Sequence, residues 1–179
     1  MKKRSEVLTC IILAVVTSAL TFAQDASKKP SPPANAQCKF SDGKTVTIDY
    51  SSPRAKGRKI YGGLVPYGEV WRTGANDATT FVPTADVTVG GKDVQSGSYT
   101  IFTVPNQDKW ELIVNKKTGE WGIPYKYQGD ELLRTDMTVS KTPSMVENFT
   151  ISFDQKGDSC TLNVDWENTR ASVDVIEKK

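Results

Sequence analysis

Several runs between Thr45 and Trp166 repeat their apolar residues at every second position, and that period decides what the chain can build. In "TVTIDY", Val46, Ile48 and Tyr50 alternate with Thr47 and Asp49; in "FTISF", Phe149, Ile151 and Phe153 alternate with Thr150 and Ser152. In "CTLNVDW", Cys160, Leu162, Val164 and Trp166 fall on one face. Successive side chains of a strand point to opposite faces, so such segments bury one face and wet the other. "LRTDMTV" alternates in the same way through Leu133, Thr135, Met137 and Val139. Two runs, "SYTIFTV" and "WELIVN", are apolar on both faces and read as central strands covered on both sides. No apolar stripe at helical spacing extends over ten residues or more, so helix should be confined to a short turn.

Turn chemistry separates these runs. Gly90 and Gly91 in "TVGGKDV" mark a tight hairpin, "VQSGSY" a reversal before Tyr99, and Gly157 in "DQKGDS" a turn between Phe153 and Cys160. About nine or ten short strands at near-regular spacing predict an all-β fold, an antiparallel β-sandwich of the jelly-roll kind. No internal repeat suggests a propeller or solenoid.

The N-terminus sets the expected compartment. "MKKR" is a basic start, "VLTCIILAVVTSAL" an apolar run, and Thr21 and Ala23 are small residues placed for cleavage before Gln24. Residues 1–23 are therefore expected to be a signal peptide, giving a secreted, periplasmic protein whose contact with membrane is limited to that transient segment. The apolar run of about 17 residues falls short of the roughly 20 that a spanning helix needs. Residues 24–37, "QDASKKPSPPANAQ", have the composition of a flexible linker. Residues 38–179 are of a size for one domain.

Cleavage would also change the charge balance. Lys2, Lys3, Arg4 and Glu6 leave with the leader, taking three from the 23 basic and one from the 21 acidic residues, so the remainder is near neutral. The formal +2 gives no reason to expect a nucleic acid or an anionic membrane as partner. Cys10 leaves too, and Cys38 and Cys160 remain as a pair in an oxidising compartment. Their disulfide would close a loop of roughly 120 residues, for which chain-entropy arithmetic gives about 4 to 5 kcal/mol. The alternative is two separate buried thiols.

Histidine is absent, which excludes Ser/His and Cys/His nucleophile systems, and with two remaining cysteines no zinc site is expected. Phosphate-loop, calcium-loop and nucleotide fingerprints are also missing, so no cofactor is expected. The densest chemistry lies in "YSSPRAKGRKIYGGLVPYGEVWRTGANDATTF". Together with "GSYTIFTVP", "EWG" and "WENTR", this string resembles a bacterial family of secreted proteins, domain-of-unknown-function family 2911. The resemblance covers nearly all of the chain after the linker, and it implies no activity, substrate or cofactor.

The site must therefore be read from its residues. Tyr67, Trp71 and Trp121 offer flat aromatic faces, Arg72 a planar fork of donors, and Asn76 both a donor and an acceptor. That set suits a sugar, a carboxylate or another small polar ligand. The opposing reading puts Trp71 in the core and pairs Arg72 with Glu69 or Asp77 to brace a loop. Arg54, Lys56 and Arg58 in "PRAKGRK" form a possible anion patch, or simply a solvated turn. A hydrolase using two carboxylates would draw on Glu69 and Asp77, with Glu111, Glu120 and Asp130 further away. No residue stands out as catalytic, so a non-catalytic binding module is the leading expectation, with an envelope protein as the alternative partner.

Overall fold

A computed structural model describes residues 29–179; the expected signal peptide and the start of the expected linker lie outside these residues. The strands are β1 (Pro33–Lys39), β2 (Thr45–Ser51), β3 (Thr80–Pro83), β4 (Val87–Val89), β5 (Lys92–Val94), β6 (Tyr99–Val104), β7 (Lys109–Asn115), β8 (Glu131–Lys156) and β9 (Ser159–Glu177). Helix among the described residues is limited to one 3-10 turn, Gln128–Asp130, as the missing helical period predicts. β1 begins at Pro33, so the end of the segment read as linker lies in the sheet. Prolines and alanines obscured its alternation, which buries Ala36 and Cys38 on one face.

All the strand pairs are antiparallel, and the nine strands form one sheet in the order β1-β2-β3-β6-β7-β8-β9-β4-β5. The expected all-β antiparallel class is observed, built as a single open sheet rather than the two separately paired sheets of a jelly-roll. This sheet cannot be flat. β1 and β9 stand first and seventh in the order, which at a normal strand spacing separates them by roughly 29 Å. Yet Cys38 on β1 and Cys160 on β9 form a disulfide with Cα atoms 6.4 Å apart. The sheet therefore curls until its first strands meet the end of the β8–β9 hairpin. There the Tyr50 hydroxyl accepts from the Ile151 amide at 3.0 Å, and the Ser52 hydroxyl donates to the Phe149 carbonyl at 2.6 Å.

The curl encloses the main core, which contains Trp110, Trp166, Phe81, Phe149, Ile48, Ile101 and Leu112, all fully or almost fully buried. A second, smaller cluster of Ala78, Phe102, Val104 and Ile113 lies on the other face of β6 and β7, beneath Val70, Tyr125 and Tyr127. Ile101 and Phe102 thus face opposite cores, which is why "SYTIFTV" carries apolar residues in both registers.

Two departures from regular strand geometry place the site. The β8–β9 ladder shifts register between Lys141 and Val146 and again between Val146 and Thr150, and opposite the break Glu167 has φ 56°. Such irregularities bend a strand pair. Just beyond this one, Phe149 and Trp166 point into the core with ring centroids 5.7 Å apart. The second departure is the connection from β2 to β3, residues 52–79, which contains only isolated bridges. Structureless connections longer than about 12–15 residues are uncommon in compact domains and usually functional. This one is pinned to β8 through Ala55 N to Glu147 O at 2.8 Å, and to β6 through the Trp71–Thr103 pair at 2.8 and 2.9 Å.

Candidate functional site

The 52–79 connection forms most of the wall of a cavity of about 580 Å³. Small-molecule sites run from roughly 300 to 1,000 Å³. The turn at Pro53, Arg54, Lys56 and Arg58 supplies one part of the lining, Leu64 to Pro66 a second, and Glu69 to Arg72 with Gly74 and Ala75 a third. Trp166 enters from β9, Ile123 from the loop before the 3-10 turn, and Pro30 and Ser31 from the segment leading into β1.

Trp71 links core and cavity. Its ring stacks on Trp166 with centroids 6.0 Å apart and planes 17° apart, and meets Phe149 edge-on at 5.1 Å. Its indole N–H donates to the Gly74 carbonyl at 3.1 Å. Gly74 is required at this point because a Cβ there would stand 3.0 Å from the Ser51 carbonyl and 3.1 Å from Thr79 Oγ1. The ring is held by packing and one hydrogen bond, remains half-buried, and contributes surface to the cavity.

The charges around this aromatic surface are one-sided. Arg54, Lys56, Arg58 and Arg72 line the cavity, and Glu69 is the one carboxylate among the lining residues. No carboxylate oxygen lies within 4.0 Å of these four cations among the described residues. Arg58 instead closes its own turn, donating to the Ala55 carbonyl at 3.0 Å and the Arg54 carbonyl at 2.6 Å. Arg72 lies over the exposed Trp121 ring, 4.6 Å from its centroid, and donates through one terminal nitrogen to the Trp121 carbonyl at 3.2 Å. That cation–π contact fixes the guanidinium plane, and its other N–H groups have no protein acceptor among the described residues. Partial burial pushes the guanidinium pKa down, opposed by the negative charge of Asp77.

Backbone strain gathers at the same place. The four non-glycine residues with positive φ among the described residues are Lys56 (51°), Thr73 (53°), Asn76 (57°) and Glu167 (56°). Lys56 lines the cavity, and each of the others is the immediate neighbour of a lining residue. Left-handed backbone costs an L-residue roughly 1–2 kcal/mol, and for β-branched Thr73 it is a genuine outlier. Thr73 is held there by burial, by its hydroxyl 3.1 Å from that of Thr103, and by its carbonyl accepting from Thr79 Oγ1 at 2.7 Å. Such strain persists only where surrounding structure over-determines it, and it clusters at functional sites.

The structure thus gathers Trp71 and Arg72 with Arg54, Lys56 and Arg58 around one cavity, and Trp121 beside it through Arg72. Tyr67 and Asn76 lie apart from them. Tyr67 lines a separate surface depression with residues 106–109 and Glu111. Asn76 is buried, and its amide donates to the Ser31 carbonyl and the Ser51 hydroxyl, both at 3.0 Å. The two carboxylates considered for hydrolysis also separate: Glu69 lines the Trp71 cavity, whereas Asp77 pairs with Lys29 and borders a neighbouring one. Sequence reading missed Ser31, Leu64, Ile123 and Trp166. Trp166 follows the core alternation of its strand, and nothing in its local pattern shows that the neighbouring bend brings it to a cavity.

The family description "Protein of unknown function (DUF2911)" matches residues 31–175, which takes in β1 to β8, all of β9 but its last two residues, and the whole cavity wall apart from Pro30. The chain belongs to this family. No curated protein and no solved structure matches it. The matched segment includes both the "PRAKGRK" turn and "WRTGAND", together with Trp166 of β9, which completes the cavity.

Proposed function

We propose that this protein is a non-catalytic, secreted binding module of the bacterial envelope that seats a small polar ligand in the Trp71 cavity. One observation carries the reading: two sequence clusters of ligand-binding character, at residues 54–58 and 71–72, converge on one cavity of drug-sized volume, about 580 Å³. Rigid sheet elements position irregular segments, and a connection held at both ends by β6 and β8 is a setting in which binding sites recur. Glu69 is the one carboxylate of the lining, against four cations, a balance that supports ligand binding.

A thermal-shift screen of the domain from Gln24 onward against sugars, dicarboxylates, phosphates and peptidoglycan fragments tests this function. A ligand at 100 times its Kd adds about 2.7 kcal/mol, which for a domain of this size raises the midpoint by roughly 5–10 °C. The shift should disappear in Arg72→Ala and Trp71→Ala variants that still unfold cooperatively. A shift that survives both substitutions places the ligand elsewhere and refutes the assignment.

A further inference from the structure

The chemistry of the cavity narrows the ligand further, on the assumption that the cavity is a small-ligand site. We propose that its ligand is an amphipathic anion, with an acid group held by the guanidinium and ammonium groups and an apolar body lying against Trp71, Leu64 and Ile123.

The side-chain inventory separates this class from a neutral sugar. Sugar hydroxyls both donate and accept, and sites that take them supply carboxylates and amides as well as cations. Here the polar side chains of the lining are Arg54, Lys56, Arg58, Arg72, Glu69 and Ser31. Four of these six donate only. The amide that would have balanced them, Asn76, has both its described bonds directed to Ser31 and Ser51. None of the four cations has a carboxylate oxygen within 4.0 Å among the described residues. Arginine and lysine exposed on a loop need no counter-ion, but Arg72 is half-buried, and its guanidinium is anchored over Trp121 by the ring contact and one hydrogen bond. Its remaining N–H groups suit a carboxylate or another planar oxyanion, which such a fork binds through parallel hydrogen bonds.

The apolar half of the lining separates the proposed class from a bare inorganic anion. Leu64, Val65, Pro66, Val70 and Ile123 join the half-buried Trp71, with Trp166 packed behind it, and Leu64 and Ile123 are 48% and 38% exposed. A phosphate or sulfate ion would leave that surface wet, whereas an alkyl or aryl body would cover it. The cavity's volume also suits a small molecule rather than a polymer strand running past the loop.

Matched pairs of probes test the proposal: benzoate, 2-naphthoate, indole-3-acetate and octanoate, each against its primary amide, with sodium sulfate and a chitin trisaccharide as controls. Binding is read from the tryptophan indole N–H signals in proton–nitrogen correlation spectra of the domain from Gln24 onward. The proposal expects at least one acid to move the Trp71 signal with a Kd at least tenfold below that of its amide. The advantage should shrink at high salt and fall to about threefold or less in Lys56→Gln and Arg72→Gln variants. The Lys56 side chain forms no ion pair among the described residues, its backbone N–H alone donating to Glu147 Oε1 at 2.9 Å, so Lys56→Gln keeps the result interpretable if Arg72→Gln disturbs the Trp121 loop. Acid and amide binding equally at Trp71 would overturn the anionic class while sparing the small-ligand site. Sulfate matching the best acid, or the trisaccharide binding where no acid does, would overturn it in the same way. No probe of any kind moving Trp71 would count against both the ligand class and the site.

Discussion

Replacing Asn76 separates a residue that braces the cavity from one that contacts a ligand. Its amide bonds to the Ser31 carbonyl and the Ser51 hydroxyl contribute about 1 kcal/mol each once exchange with water is counted. Its backbone stands at φ 57°, where asparagine is tolerated but alanine loses about 1 kcal/mol. Asn76→Ala should therefore cost about 3 kcal/mol, lowering the thermal midpoint by roughly 6–12 °C for a domain of this size. Asn76→Gly keeps the left-handed backbone but loses the bonds and adds the unfolded-state entropy of glycine, so its loss should be about 2.5 kcal/mol. Denaturant and thermal unfolding of both variants, with ligand affinity measured well below the midpoint, give the assay. The reasoning fails if Asn76→Ala stays within about 0.5 kcal/mol of the parent and abolishes ligand binding, because Asn76 would then be a contact and not a brace.

Three further outcomes follow from the same structure. A Cys38→Ala, Cys160→Ala double variant frees a loop with a sequence separation of 122 residues, which loop-closure entropy values at about 5 kcal/mol; equilibrium unfolding showing a loss under about 1 kcal/mol would contradict that entropy. Lys56→Gly relieves left-handed backbone at φ 51° and, after the unfolded-state entropy of glycine, should gain about 0.5 kcal/mol while weakening any acid bound in the cavity. Lys179 and the Ser41 hydroxyl and amide pull the Asp158 carboxyl down from 3.8 to about 2. Because the folded pKa lies below the unfolded one, the stability from this group is complete above about pH 4 and is lost as pH falls through the window to about 2. Asp158→Asn should therefore flatten the stability profile within that window and leave its shape above pH 5 unchanged.

Much of the fold can be read locally because its signals are local. Gly90 and Gly91, both at positive φ, make the β4–β5 turn where the sequence places one, and Gly157 does the same between β8 and β9. The doubled apolar registers of β6 and β7 announce that both their faces are covered. Curvature is different, because no residue encodes the approach of β1 to β9; it emerges from twist accumulated across seven strands and from breaks in a ladder whose register local patterning leaves unspecified. For the same reason the sequence reveals two separate clusters, at Arg54–Arg58 and at Trp71–Arg72, without revealing that one cavity joins them. Asn76 shows a second limit. An amide has the same donors whether it faces solvent or ties down a neighbouring segment, and its left-handed backbone is a property of the folded loop alone.

The central claim is that the surface joining Trp71, Trp166 and the unpaired cations is where this protein meets its ligand. The chain has four tryptophans, and each indole N–H is a separate reporter. Trp71 and Trp166 line the cavity, Trp110 is fully buried with its N–H donating to the Asn106 carbonyl at 3.0 Å, and Trp121 lies outside the lining under Arg72. Titrating the tightest acid from the matched series should shift the Trp71 signal saturably, with smaller changes at Trp121 and at the buried Trp166 stacked beneath Trp71, and little at Trp110. Saturable shifts confined to Trp121, or to residues around Tyr67, with Trp71 unmoved, would contradict it.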